Sequence, residues 1–144
     1  MGKKKSYDDP IHLTQEDADR LVVMEKHCLQ SKCYPFPREG EKVMVPLVSE
    51  DRRHEFEMDV YSSRIDLKKY TFGNRTRRVI TLIRVDIGSG GRHVNPDNEA
   101  ITGPHIHKYR EGFGDKWAEP LPDDLAIRIA FSTCFSVLWT FAGS

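Results

Sequence analysis

The first part of the chain carries apolar residues at helical spacing. Thr14 stands before this stripe and suits an N-cap, because its hydroxyl can accept a hydrogen bond from an amide of the first turn. Pro35 and Pro37 cannot continue a helix, because proline lacks an amide donor. The pattern predicts an amphipathic helix over residues 12–31, after a polar tail at 1–10. The stripe consists of Ala18, Leu21, Val22, Cys28 and Leu29.

An alternating pattern replaces the helical one from residue 43. Such alternation is the period of a β-strand with one face on a core. A slip in the alternation before Gly73 and Asn74 predicts a bulge followed by a turn. We therefore expect an antiparallel sheet of about four or five strands over residues 43–110. Its inward positions are Phe56, Met58, Val60, Val79, Thr81, Ile83, Val85 and Ile87, with Ile83 and Val85 buried on the central strand.

The end of the chain is largely apolar. Asp123 and Asp124 suit the start of a helix, and aromatic residues follow at helical spacing. Arg128 and several hydroxyl side chains argue against a membrane span. We predict a hydrophobic C-terminal helix over residues 123–142. The expected fold is a single α+β domain, 1–144, in which an N-terminal helix packs on the sheet.

Composition narrows the class of protein. Hydrophobic residues make up 38% and charged residues 31%, a balance that excludes both a disordered chain and an integral membrane protein. The 22 basic and 22 acidic residues cancel, but basic residues prevail from 52 to 92 and acidic ones from 93 to 124. Three cysteines without a C-x-x-C pair, and no apolar export signal, predict a cytoplasmic protein without a membrane partner.

A basic cluster surrounds the predicted turn. Such a cluster favours contact with nucleic-acid phosphates, and two neighbouring aromatic residues, Tyr70 and Phe72, are suited to base stacking. The alternative is a solvated hairpin with both rings in the core. The candidate RNA-binding residues are Lys68, Lys69, Arg75, Arg77 and Arg78.

The segment 103–117 holds the densest group of reactive side chains. On a strand over 105–110, His105, His107 and Tyr109 share one face. His93 in the preceding loop and Arg84 on an apolar strand are candidates to join them, and the sequence leaves open whether they do. In an acid–base site, His105 or His107 takes a proton, His93 or Tyr109 supplies one, and Arg84 stabilises charge on phosphorus. The alternative is a polar sheet face without chemistry.

Metal binding is a further interpretation of the same segment. His105 and His107, with one of His93, Glu111 or Asp115, offer three ligands to zinc or manganese. The sequence lacks a second His-rich or Cys-rich motif that would support it. We therefore expect no metal and no cofactor.

Four segments of the chain match a known pattern. They are Tyr70-Thr71-Phe72-Gly73-Asn74-Arg75, Leu82-Ile83-Arg84-Val85-Asp86, His93-Val94-Asn95-Pro96-Asp97 and Pro104-His105-Ile106-His107-Lys108-Tyr109-Arg110-Glu111-Gly112. These segments resemble an uncharacterised family of small bacterial and phage-borne proteins. The resemblance covers residues 45 to 120 and implies a gene carried by mobile elements. A looser likeness, in fold and residue type, is to endoribonuclease toxins of toxin–antitoxin modules.

These features rank three functions. The first is an RNA-binding protein or metal-independent endoribonuclease of toxin type, for which the toxin likeness implies an antitoxin partner. The second is a non-enzymatic phage inhibitor, similar to anti-CRISPR proteins, that covers a host defence complex. The third is a metal-dependent hydrolase. Convergence of His93, His105 and His107 in one cleft favours an enzyme over an inhibitor.

Overall fold

Antiparallel β-structure dominates the described part of this computed structural model. The described residues are 12–30, 32, 34–64, 69–88 and 92–122. They form one helix, α1 (Gln15–Val23), and nine strands. The strands are β1 (Lys26–Cys28), β2 (Lys42–Ser49), β3 (Glu55–Ser62), β4 (Tyr70–Thr76), β5 (Ile80–Ile87), β6 (Arg92–Val94), β7 (Ala100–Thr102), β8 (His105–Lys108) and β9 (Ala118–Pro120).

The main sheet has seven strands in the order β1-β2-β3-β4-β5-β8-β9, and β6 and β7 form a separate two-stranded sheet. The prediction of a sheet of about four or five strands is therefore wrong. Strands of three residues, such as β1 and β9, are too short to show alternation. The predicted tail at 1–10 and helix at 123–142 lie outside the described residues. Among the helices of the described ranges, none is long and apolar enough to cross a membrane.

The N-terminal helix is shorter than predicted. Thr14 caps α1 as expected, since its hydroxyl accepts a hydrogen bond from the amide of Asp17. The helix ends at Val23 rather than near residue 31, because the chain becomes extended at Met24 and then pairs with the edge of β2. The buried Lys26 ammonium donates to the carbonyls of Leu21, Val22 and Met24, which satisfies acceptors at the helix end.

The predicted turn at Gly73 and Asn74 is also wrong. Both residues lie inside β4, and the chain reverses between Thr76 and Ile80 instead. Arg77 and Arg78 take positive φ angles of 50° and 65° in that turn. The bulge falls later than predicted, at a register shift between Asn74 and Arg75. The sequence signal of Gly73-Asn74 failed because pairing with both neighbouring strands extends through these two residues.

The core lies on one face of the sheet, against α1. Ile83 and Val85 are each 1% exposed, which confirms their predicted burial. Val79, which was assigned to the same strand, is 64% exposed in the turn. Ala18 and Leu21 are the buried positions of α1. The buried side chains of Ile83 and Val85 therefore fix β5 against the core, and the opposite side of this strand carries polar groups.

Candidate functional site

The strands β5 and β8 place four polar side chains on the face of the sheet opposite the core. Arg84 pairs with His107, and Asp86 pairs with His105. Alternate residues of a strand face the same side, and paired residues share that side. The intervening pair, Val85 and Ile106, is 1% exposed at each position and belongs to the core. One ladder thus supports apolar packing on one side and a polar cluster on the other.

The same face continues onto β4. Thr71 lies opposite Asp86, and its hydroxyl donates to Asp86 Oδ1 at 2.9 Å. Gly73 lies opposite Arg84. A Cβ at Gly73 would meet only the carbonyl oxygen of Ile83 within 4 Å, at 3.9 Å. The neighbouring position therefore adds no side chain beside the Arg84 guanidinium.

Three histidine rings converge on this face. The ring centroids of His105 and His107 are 4.9 Å apart, and His93 lies 4.6 Å from His107 and 5.8 Å from His105. His107 is 0% exposed and His105 is 6% exposed. The structure therefore brings together three histidines whose convergence the sequence left open.

His93 reaches the cluster from a different part of the fold. It lies on β6, and the hairpin of β6 and β7 is held against β9 by the Asn95 side-chain amide. This amide donates to Ala118 O at 2.9 Å and accepts from Ala118 N at 2.8 Å. His93 Nε2 contacts Lys116 O at 2.8 Å, and because a carbonyl oxygen only accepts, Nε2 carries the proton. In the neutral ring, Nδ1 then keeps its lone pair.

Both buried histidines are fixed by backbone carbonyls. His105 Nδ1 lies 2.8 Å from Gly103 O, and His107 Nδ1 lies 2.8 Å from Asp115 O. Their Nε2 atoms lie 3.2 and 3.1 Å from Asp86 Oδ2. Every ring nitrogen of this pair therefore already has a polar neighbour.

Asp86 is held as a carboxylate. Burial raises its pKa, but the contact with His107, the charge of Arg84 and the hydrogen bond from Thr71 outweigh that effect. The pKa of Asp86 consequently lies well below its ordinary value of 3.8. A carboxylate therefore lies beside the Nε2 atoms of both buried histidines.

Arg84 bridges two carboxylates and a ring. Its Nη1 donates to Asp115 Oδ2 at 2.9 Å, and its Nε lies 3.4 Å from Asp86 Oδ2. Its Nη2 lies 3.0 Å from His107 Nε2. Arg84 therefore lies beside His107, with its guanidinium held by two acidic partners.

These residues line an open cleft of about 290 Å³. Its charged lining consists of three cationic side chains, Lys69, Arg84 and Arg92, and one carboxylate, Asp86. The exposed ring of Tyr61 lines the same cleft. A cleft with this excess of cations raises the local concentration of anionic ligands.

Tyr109 does not join the cleft. The strand ends at Lys108 rather than at Arg110, and the Tyr109 amide turns to donate to Leu82 O at 2.8 Å. The Tyr109 hydroxyl donates to Leu13 O at 2.6 Å, which ties β8 to the start of α1. Burial raises the pKa of Tyr109 above 10.0. The alternating pattern failed here because the chain leaves the strand one residue before Tyr109.

The predicted basic cluster is divided in space. Lys69 lines the cleft. Arg75 lies on β4 and pairs with Asp59 and, at 2.7 Å, with Glu57. Arg77 and Arg78 are exposed in the turn, at the opposite end of β5, about 20 Å from the cleft at the rise of a strand. Lys68 lies outside the described residues.

Sequence reasoning missed three residues that shape the site. Asp86 occupies the same face of β5 as Arg84, two positions along, and this spacing was the available signal. Arg92 and Asn95 lie on or next to the hairpin of β6 and β7. The contact of this hairpin with β9 leaves no pattern in the local sequence by which it could be predicted. Glu111, a proposed ligand, instead accepts a hydrogen bond from the Gln15 amide at the start of α1.

The model of a family of unknown function (DUF6978) matches residues 13–142. The chain belongs to that family. Neither a curated protein nor a solved structure matches the chain. The family shown here has no described activity, and the function must be argued from the site itself.

Proposed function

We propose that this member of the family binds RNA in the histidine cleft and cleaves a phosphodiester bond there. The observation that supports it most is the convergence of His93, His105 and His107 within one cleft lined by an excess of cations. An imidazole cluster supplies proton transfer near neutral pH, and cations stabilise charge on phosphorus. We assign RNA as the substrate class and the cytoplasm as the place where the protein acts.

Phosphate binding is assigned to the cationic lining. Arg92 and Lys69 are both exposed and both line the cleft. Arg84 lies deeper, where its contacts with Asp86 and Asp115 hold the guanidinium in place. Guanidinium groups bind phosphate oxygens through two parallel hydrogen bonds, so Arg84 and Arg92 are suited to grip adjacent oxygens.

Tyr61 supports a nucleic-acid substrate rather than a small phosphate ester. Its side chain is on the same outer face as Thr71, and the residue is 40% exposed at the cleft. Exposed aromatic rings beside cationic residues bind single-stranded nucleic acids by stacking on the bases. We assign Tyr61 to a base next to the cleaved bond.

Proton transfer is assigned to His93. Its Nε2 is committed to Lys116 O, and within the described residues its Nδ1 has no hydrogen-bond partner. Nδ1 accepts the proton of the 2′-hydroxyl as that oxygen attacks phosphorus. The bond from phosphorus to the 5′-oxygen breaks, and this oxygen takes a proton from solvent. The products are a 2′,3′-cyclic phosphate and a 5′-hydroxyl.

The test compares two histidine variants on labelled single-stranded RNA. His93→Gln removes the proposed base, and His27→Gln removes a histidine on β1 at the far edge of the sheet. The loss of a general base lowers the cleavage rate by about 10²–10⁴-fold, whereas the control retains the wild-type rate. RNA with a 2′-deoxy residue at the cleaved position resists cleavage.

The proposal is overturned by either of two results. One is a wild-type protein that leaves RNA intact both with divalent metal and in chelator. The other is a His93→Gln variant that cleaves as fast as the wild type.

A further inference from the structure

Asp86, His105 and His107 form a compact set of ligand atoms, which we call the Asp-His-His cluster. One ligand atom from each residue lies within 4.8 Å of the other two. The cluster is on the rigid ladder of β5 and β8, and both histidines are buried. Buried ligands on paired strands are positioned without any loop having to close.

The orientation of the two rings is that of metal-binding histidines. Each Nδ1 faces a backbone carbonyl oxygen at 2.8 Å, which fixes the proton on Nδ1. The neutral ring then presents its Nε2 lone pair to the other side. Histidines that ligate metals almost always donate their other ring N–H to such a carbonyl or carboxylate.

The ligand atoms of the three residues point at one another. With the proton of each ring on Nδ1, the Nε2 lone pairs of His105 and His107 lie 3.2 and 3.1 Å from Asp86 Oδ2. Arg84 Nη2 lies 3.0 Å from His107 Nε2 and is placed to donate to it, so the cluster already attracts a cationic group. A metal ion bound by all three atoms would supply positive charge at the same place.

Two of the three ligand spacings match those around a bound ion. Nitrogen and oxygen ligands at about 2.0–2.2 Å from a metal, at angles near about 90–110°, lie about 3.0–3.4 Å from one another. The two distances from Asp86 Oδ2, 3.1 and 3.2 Å, fall in this interval. The three atoms together lie within 4.8 Å of one another, so the two histidine rings must move closer to share one ion.

We propose that the Asp-His-His cluster binds one divalent first-row transition metal ion, with zinc preferred over magnesium. Imidazole ligands favour zinc, whereas magnesium prefers an all-oxygen set. The inference rests on the proposed function and deepens it, because Asp86, His105 and His107 line the cleft to which RNA is assigned, where a bound ion would polarise a phosphoryl oxygen. It departs from the expectation of a metal-free site, and its carboxylate ligand, Asp86, was not selected from the sequence.

Arg84 competes with the ion. Its Nη2 lies 3.0 Å from His107 Nε2 and its Nε lies 3.4 Å from Asp86 Oδ2, so the guanidinium already occupies the approach to both ligands. Asp115 binds the other end of the guanidinium at 2.9 Å and offers it a place to withdraw. Arg84→Gln removes this competing charge and is expected to tighten zinc binding several-fold.

The test is calorimetric titration of the chelator-treated full-length protein with zinc and, separately, with magnesium. We expect one zinc per chain and no magnesium binding. Asp86→Asn keeps the shape of the side chain and removes its charge, and His107→Asn removes a ligand. Each is expected to weaken zinc binding at least tenfold, and His27→Asn is the matched control that retains it.

Unfolding curves recorded in chelator show whether each variant folds. If His107→Asn does not fold, Asp86→Asn alone tests the loss of zinc binding. Absence of zinc uptake, or uptake unchanged in Asp86→Asn and His107→Asn, overturns the proposal. Because the readout is metal binding, a protein that takes up zinc but leaves RNA intact contradicts the proposed function and supports the metal site.

Discussion

The two ends of the hairpin formed by β4 and β5 both carry cationic side chains, but they differ in what surrounds those charges. At the turn end, Arg77 and Arg78 are exposed, and Arg77 contacts the carbonyl of His12. At the cleft end, Lys69 and Arg84 line the same volume as three histidine rings. Salt screens the exposed charges at the turn, whereas the charges that line a cleft act together on a ligand bound inside it.

Basic residues that are close in the sequence do not form one cluster in the folded protein. Arg75, Arg77 and Arg78 are neighbours in the chain, yet Arg75 is neutralised by Glu57 and Asp59 on β3. Residues from β5, β6 and β8 are distant in the chain and meet in the cleft. Convergence around a common volume, rather than local charge, is therefore the better guide to a binding site.

The largest expected effect comes from the core that holds both ends together. Ile83→Ala is expected to lower the free energy of unfolding by about 2–5 kcal/mol, because the 1% exposed side chain leaves a cavity. Chemical denaturation measures this change. Val79→Ala, at a 64% exposed position of the turn, is the control and is expected to change stability by less than about 0.5 kcal/mol. Equal effects of the two substitutions contradict the assigned core.

A smaller loss of stability is expected for a substitution at Tyr109, and this substitution tests whether Tyr109 lies outside the cleft. Tyr109→Phe removes the hydrogen bond to Leu13 O and is expected to cost about 0.5–1.5 kcal/mol of stability. RNA affinity and cleavage are expected to remain at wild-type values, because the hydroxyl points to the start of α1. A cleavage rate that falls while stability holds returns Tyr109 to the catalytic residues.

The smallest effect on stability is expected at the turn end. Replacing Arg77 and Arg78 together by glutamine is expected to shift the free energy of unfolding by less than about 0.5 kcal/mol, because both side chains are exposed. Thermal unfolding measures the shift. A loss of several kcal/mol shows that the turn has a structural role beyond reversing the chain.

The sequence correctly predicted those elements whose hydrophobic pattern extends over many residues. The alternating run at Ile83 and Val85 marked the core strand, and Thr14 marked the helix start. It overestimated the helix because the apolar stripe continued into β1, where edge pairing with β2 outweighs helical spacing. Short strands, such as β9, leave too few residues for any period to appear.

The candidate site was recovered where strand periodicity determined it. His105 and His107 share a face because they are two positions apart on β8, and Arg84 shares that face through pairing. The role of Asn95, which fixes the hairpin that carries His93, depends on two hydrogen bonds to Ala118. A contact between residues so far apart in the chain has no signature in one sequence.

The most direct test of the account measures RNA affinity after charge reversal at each end of the hairpin. Lys69→Glu with Arg92→Glu alters the cleft, and Arg77→Glu with Arg78→Glu makes the same change of charge at the turn. Fluorescence anisotropy with single-stranded RNA is expected to show at least about tenfold weaker binding and a shallower salt dependence for the cleft pair. The turn pair is expected to bind almost as the wild type does. Loss of affinity in the turn pair, with wild-type affinity in the cleft pair, contradicts the assignment of the cleft as the RNA site.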